Sequence, residues 1–92
     1  MSIRELEESV SKLCWAFAIR NVGIARDLIA YLCTKFTLDE VAAIALLTFE
    51  RLVWLDAKAC RWAMEHILPE EVKKQIDRLV GIHFYQQLLA VS

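Results

Sequence analysis

Cysteine and histidine serve as nucleophiles, general bases and metal ligands, and the sequence contains five of them. They are Cys14, Cys33, Cys60, His66 and His83. Metal and thiol redox sites usually show two such residues within about five positions of each other, as in CxxC or HExxH, because a short stretch then presents both. No such pair occurs, and neither does a di-iron Glu-x-x-His motif. We therefore expect no metal ion and interpret Cys14 and Cys60 as small core residues, with Cys33 at the margin of its helix.

Acid–base or covalent catalysis needs a pocket that holds the reacting groups, and the sequence offers little loop from which to build one. It has two glycines and one proline, so connections of roughly two to four residues leave no lid and no glycine-rich phosphate cradle. Glu65 and His66 are adjacent and should point to different sides of a helix, so a solvated face is the simpler interpretation. We expect no catalytic residue, no cofactor and no enzymatic activity.

The strongest functional signal comes from aromatic and aliphatic residues that lie off the apolar faces of their own helices or crowd the last helix. These candidate partner-binding residues are Trp15, Ile19, Trp62, Phe84, Tyr85 and Leu88. Tryptophan is enriched where protein interfaces hold their binding energy. The alternative interpretation is that these residues pack against a neighbouring helix of the same chain and do not contact a partner. The third tryptophan, Trp54, is interpreted as a core residue that closes a helix end.

The balance of residue types favours contact with another protein. Apolar residues make up 58% of the 92 positions, whereas glycine-inclusive averages are about 45–50%, and so short a chain has little interior to fill. We predict a non-enzymatic interaction module that self-associates as a homodimer and presents an aromatic, apolar surface to a protein partner. The first alternative is a helical carrier that binds an apolar small molecule or pigment between its helices.

The second alternative is a DNA-binding regulator. The segment from Thr37 to Ala42, TLDEVA, resembles the opening of many helix-turn-helix units, in which this helix braces a second helix that reads DNA. The glycine-bearing turn of such units is replaced by Leu46 and Leu47, and the next helix supplies only Lys58 and Arg61 as cations. A net charge of −1 also gives no basic surface for a polyanion. We therefore do not expect nucleic acid as a partner.

These residues are carried by a chain whose hydrophobic pattern is helical throughout. We predict an all-α fold, a single domain over residues 1–92, built as a compact bundle of about five antiparallel helices in helical hairpins around Val41 to Phe49. The predicted helices cover about 2–19, 22–36, 37–54, 56–68 and 69–90. Capping boxes at Ser2/Glu5 and Thr37/Glu40 mark two starts, and the last helix should continue through Gly81.

The cysteines and the longest apolar run predict the cellular compartment. An odd number of cysteines without close pairs is typical of the reducing cytoplasm. The uninterrupted apolar run from Val41 to Leu47 is too short to cross a bilayer, so we expect no membrane span.

Overall fold

The computed structural model describes residues 1–80, and within them the chain forms five α-helices. The helices are α1 (Ile3–Ala18), α2 (Val22–Lys35), α3 (Leu38–Leu52), α4 (Ala57–His66) and α5 (Glu70–Val80). The predicted all-α class is confirmed. The predictions for Gly81 and for residues 82–91, which include Phe84, Tyr85 and Leu88, lie outside the described residues.

Side-chain caps set the start of the first four helices. Ser2 and Thr37 each accept a hydrogen bond from the backbone N–H three residues later, and the glutamates there accept one in return from the cap backbone. Asn21 caps α2 through Ile24, and Asp56 caps α4 through Ala59. Each cap stabilises its helix by about 1 kcal/mol, because it satisfies an amide that no helical carbonyl can reach.

Helix α3 is the central element, as its continuous apolar run predicts. It packs against each of the other four helices. Val41, Ile44, Ala45 and Phe49 are all fully buried, which requires neighbours on several sides. Leu47 differs from this pattern and is partly exposed, since no other described element covers that side of α3.

Long-range polar contacts show how the helices run relative to one another. Lys35 at the end of α2 pairs with Glu5 at the start of α1, at 3.3 Å, so these two helices are antiparallel. The N-terminal amine of Met1 lies 3.6 Å from Glu40 at the start of α3. Helices α1 and α3 therefore begin at the same side of the bundle, as stacked hairpins require.

Several residues are more exposed than the sequence pattern predicts. The heptad spacing places Ile3 in the packed stripe of α1 with Val10 and Leu13, but it is 82% exposed. The same kind of spacing places Leu79 on the apolar face of α5 with Val72 and Ile76, but it is half exposed. Trp54, the expected core residue, is 87% exposed: α3 ends at Leu52, two residues earlier than predicted.

Candidate functional site

Among residues 1–80, the most exposed large apolar side chains away from the N-terminus are Trp54 and Leu55, at 87% and 83%. They lie in the turn between α3 and α4. Three further exposed apolar residues belong to the end of α1 and the start of α2. The five residues, which we call the apolar end surface, are Trp15, Ile19, Val22, Trp54 and Leu55.

The turn that carries Trp54 and Leu55 is held at both sides. Leu52 is buried, and its carbonyl accepts hydrogen bonds from the backbone N–H groups of Leu55, at 3.0 Å, and Asp56, at 2.8 Å. Asp56 then begins α4 as its N-cap. The backbone is thus tied down while the two intervening apolar side chains remain in solvent, which is unusual for a tryptophan in a connection.

An ion pair brings the two halves of the surface together. The Arg20 guanidinium lies 3.0 Å from the Asp56 carboxylate and also donates to the carbonyl of Ala18, at 3.2 Å. Ile19 precedes Arg20 directly, and Leu55 precedes Asp56 directly. The end of α1 and the α3–α4 turn are therefore neighbours, and each carries exposed apolar residues.

Trp15 extends the same surface along α1. The backbone N–H of Ile19 donates to the carbonyl of Trp15 at 3.0 Å, so the two residues are one helical turn apart and share a face. Arg20 ends this helix in the left-handed region, with φ of 53°. A non-glycine residue there costs roughly 1 kcal/mol, and the two hydrogen bonds of its guanidinium help to hold it.

The charges in the surface have satisfied partners. The Asp56 carboxylate accepts the N–H of Ala59 at 3.0 Å as well as the Arg20 donor. These contacts, the Ala59 hydrogen bond first, hold the pKa of Asp56 below its usual value. The pair is therefore ionised at neutral pH, has no net charge, and is already compensated within the chain.

Trp62 is placed differently from the other two tryptophans. It is partly buried, and its ring meets Phe17 edge-on with centroids 6.5 Å apart, while Phe17 stacks on Phe49 at 5.9 Å. Trp62 is off the apolar face of its own helix, as predicted, but α1 covers it. We therefore leave it out of the apolar end surface, to which Trp15 and Ile19 belong.

The three cysteines are poor nucleophiles in this structure. Burial raises the pKa of Cys60 to about 12 and also raises the pKa of Cys14 and Cys33. The thiols of Cys14 and Cys60 point to the carbonyls of Thr48 and Phe49, at 3.8 and 3.9 Å. All three thiols are thus protonated at neutral pH, whereas nucleophilic attack requires a thiolate.

Other polar clusters do not form a desolvated site. His66 Nε2 lies 3.8 Å from Glu65 Oε2, although adjacent residues of a helix were expected to point to different sides. Both side chains are more than half exposed. Within residues 1–80, no group of three His, Cys, Asp or Glu side chains is arranged to hold a metal ion.

No helix in that part of the chain is long and apolar enough to cross a membrane.

A groove between α1 and α2 is the candidate small-molecule site. It has a volume of about 110 Å³, while pockets that enclose drug-sized ligands measure about 300–1,000 Å³. Charged groups line its rim: Lys35 pairs with Glu5 and lies over the rings of Tyr31, at 5.7 Å, and Phe36, at 5.4 Å. The groove is thus small, open and polar at its edge.

Sequence reasoning found part of this surface and missed part of it. Trp15 and Ile19 could be identified because they fall opposite the packed stripe of a regular helix. Trp54 and Leu55 lie in a turn, where no periodicity separates buried from exposed positions. The Asp56 capping signal just after them is the one sequence feature that indicates a connection there.

No protein-family model matches the chain, and neither a curated protein nor a solved structure is significantly similar to it.

Proposed function

We propose that this protein is a non-enzymatic protein–protein interaction module whose contact site is the apolar end surface. The observation that carries the proposal is the adjacent pair Trp54 and Leu55, 87% and 83% exposed on a turn whose backbone is held in place. A fixed tryptophan with nearly all of its ring in water is costly for a monomer, and it is the residue most enriched among interface hot spots.

The size of the surface supports this function. Its five side chains expose on the order of 600 Å² of apolar area, taking about 150–250 Å² for a full aromatic side chain and somewhat less for an aliphatic one. This is the upper end of the largest patches on ordinary monomers, about 300–600 Å². At about 25 cal/mol per Å², covering all of it contributes about 15 kcal/mol before the cost of association is subtracted.

The polar groups within the surface also suit burial by a protein. A lone charge under an interface is strongly unfavourable, but Arg20 and Asp56 neutralise each other at 3.0 Å. An apolar partner surface can therefore cover the pair without leaving an uncompensated charge. The same neutrality gives nucleic acid no electrostatic attraction at this site.

The two alternative functions have less support. The carrier hypothesis depends on the groove between α1 and α2, whose volume of about 110 Å³ is small for a pigment or drug-sized ligand. The DNA hypothesis depends on Lys58 and Arg61 of α4, and Arg61 lies 3.9 Å from Glu65 on the same helix.

A capture experiment with matched variants tests the proposed function. Immobilised wild type, Trp54→Glu and Tyr31→Glu are exposed to extract from the protein's own cells, with the wild-type chain added in labelled form. Tyr31 is the control because it is an exposed aromatic residue, 55% accessible, at the α1–α2 groove. We expect Trp54→Glu alone to lose captured protein. Equal capture by all three baits, or no capture by any, contradicts the proposal.

A further inference from the structure

We infer that the partner at the apolar end surface is a second copy of this chain, related to the first by a two-fold axis; the inference rests on the proposed function. In such a contact the same patch is used on both molecules, so the patch must be complementary to itself. The size, charge and composition of this surface meet that condition.

The first argument is area. A stable protein–protein interface buries about 1,200–2,000 Å² in total, or roughly 600–1,000 Å² on each partner. The apolar end surface alone exposes about 600 Å² of side chain, by the estimate above. Two copies therefore reach the lower limit of a stable interface without a contribution from any other part of either chain.

The second argument is charge. The charged groups next to the surface include the ion pair of Arg20 and Asp56, 3.0 Å apart, and Lys58, which follows Asp56 in the first turn of α4. When two copies meet, both ion pairs keep the partners they already have. The whole chain adds little repulsion, since its net charge is −1. A strongly charged partner would find nothing to complement here.

The third argument is composition. The residues to be covered are two tryptophans and three branched aliphatic side chains. Tryptophan rings pack well against branched aliphatic groups and against each other. In a two-fold contact Trp54 of each molecule lies against the apolar residues of the other, so each side supplies both the ring and the surface it needs.

Sedimentation velocity over a micromolar to millimolar series tests this inference. We expect the wild type to reach twice the chain mass of 10.6 kDa and then stop, because a two-fold contact closes on itself. Each substitution occurs twice in the dimer, so Trp54→Glu should weaken association roughly 100-fold or more. Tyr31→Glu should leave the dissociation constant unchanged.

Three results would overturn the inference. A wild type that stays at 10.6 kDa is not a dimer; one that grows beyond two copies uses a head-to-tail contact. A dimer that tolerates Trp54→Glu uses another surface. If the chain is monomeric while the capture experiment still shows a Trp54-dependent partner, the inference fails and the proposed function stands. If both experiments fail, the proposed function fails as well.

Discussion

Trp54 and Trp62 are the same residue type eight positions apart, and the structure assigns them opposite roles. Trp62 is partly buried and contacts Phe17 across the core, whereas Trp54 is 87% exposed. Alanine substitution at each position therefore makes a matched pair. Trp62→Ala should lower the free energy of unfolding, and Trp54→Ala should leave that of the monomer almost unchanged.

The expected size of each effect follows from burial. Replacing a fully buried tryptophan by alanine costs about 3–5 kcal/mol. For the partly buried Trp62 we take roughly half of that, plus about 0.5–1.5 kcal/mol for the lost ring contact with Phe17. The sum, about 2–4 kcal/mol, is a large share of the roughly 5–14 kcal/mol typical of a 92-residue domain. Trp54→Ala should stay within about 0.5 kcal/mol.

Urea unfolding followed by far-ultraviolet circular dichroism measures both effects. With a slope of about 1–1.5 kcal/mol per molar for a domain of this size, Trp62→Ala should lower the midpoint by about 2 M. The measurement belongs at the lowest usable concentration, because self-association stabilises the folded state by mass action. If Trp54→Ala destabilises as much as Trp62→Ala, Trp54 is a core residue and the apolar end surface does not exist as described.

Three further predictions concern pH, thiol reactivity and capping. The N–H of Ala59 and then Arg20 lower the pKa of Asp56, and hydrogen bonds from Ser2 and then Lys35 lower the pKa of Glu5. Their contribution to stability is complete above about pH 5, above the unfolded-state pKa values of both groups, and should be lost as pH falls through the lower folded values in acid unfolding curves. Cys33 is exposed and Cys60 is buried with a pKa of about 12, so mass spectrometry over a time course of alkylation at mildly alkaline pH should find Cys33 modified well before Cys60. Thr37→Ala removes the α3 cap and should cost about 1 kcal/mol in urea unfolding, unlike the conservative Thr37→Ser.

Helix starts could be predicted from sequence because a cap is a local arrangement. Thr37 and Glu40 are three residues apart, and the reciprocal hydrogen bonds between them need no other part of the chain. The same holds for Asp56 and Ala59. The burial of α3 could be predicted as well, since an apolar run on every side of a helix leaves few other arrangements.

The exposure of individual side chains could not be predicted where it depends on contacts between segments that are distant in sequence. Nothing near Trp62 in sequence indicates that Phe17, on another helix, covers its ring. Ile3 is in phase with the packed stripe of α1, but whether a neighbour reaches its first turn depends on the relative placement of α1 and α3. The apolar pattern extends α3 to about residue 54, whereas the helix ends at Leu52. Trp54 is therefore a connecting residue and not part of the helix.

The most direct test of the account is the behaviour of the three tryptophan indole N–H signals in two-dimensional NMR as concentration rises from micromolar to millimolar. Trp15 and Trp54 are half exposed or more, while Trp62 packs on Phe17. We predict that the Trp15 and Trp54 signals shift together with a single dissociation constant and that the Trp62 signal stays in place. Signals that do not move, or a shift confined to Trp62, would contradict the central claim.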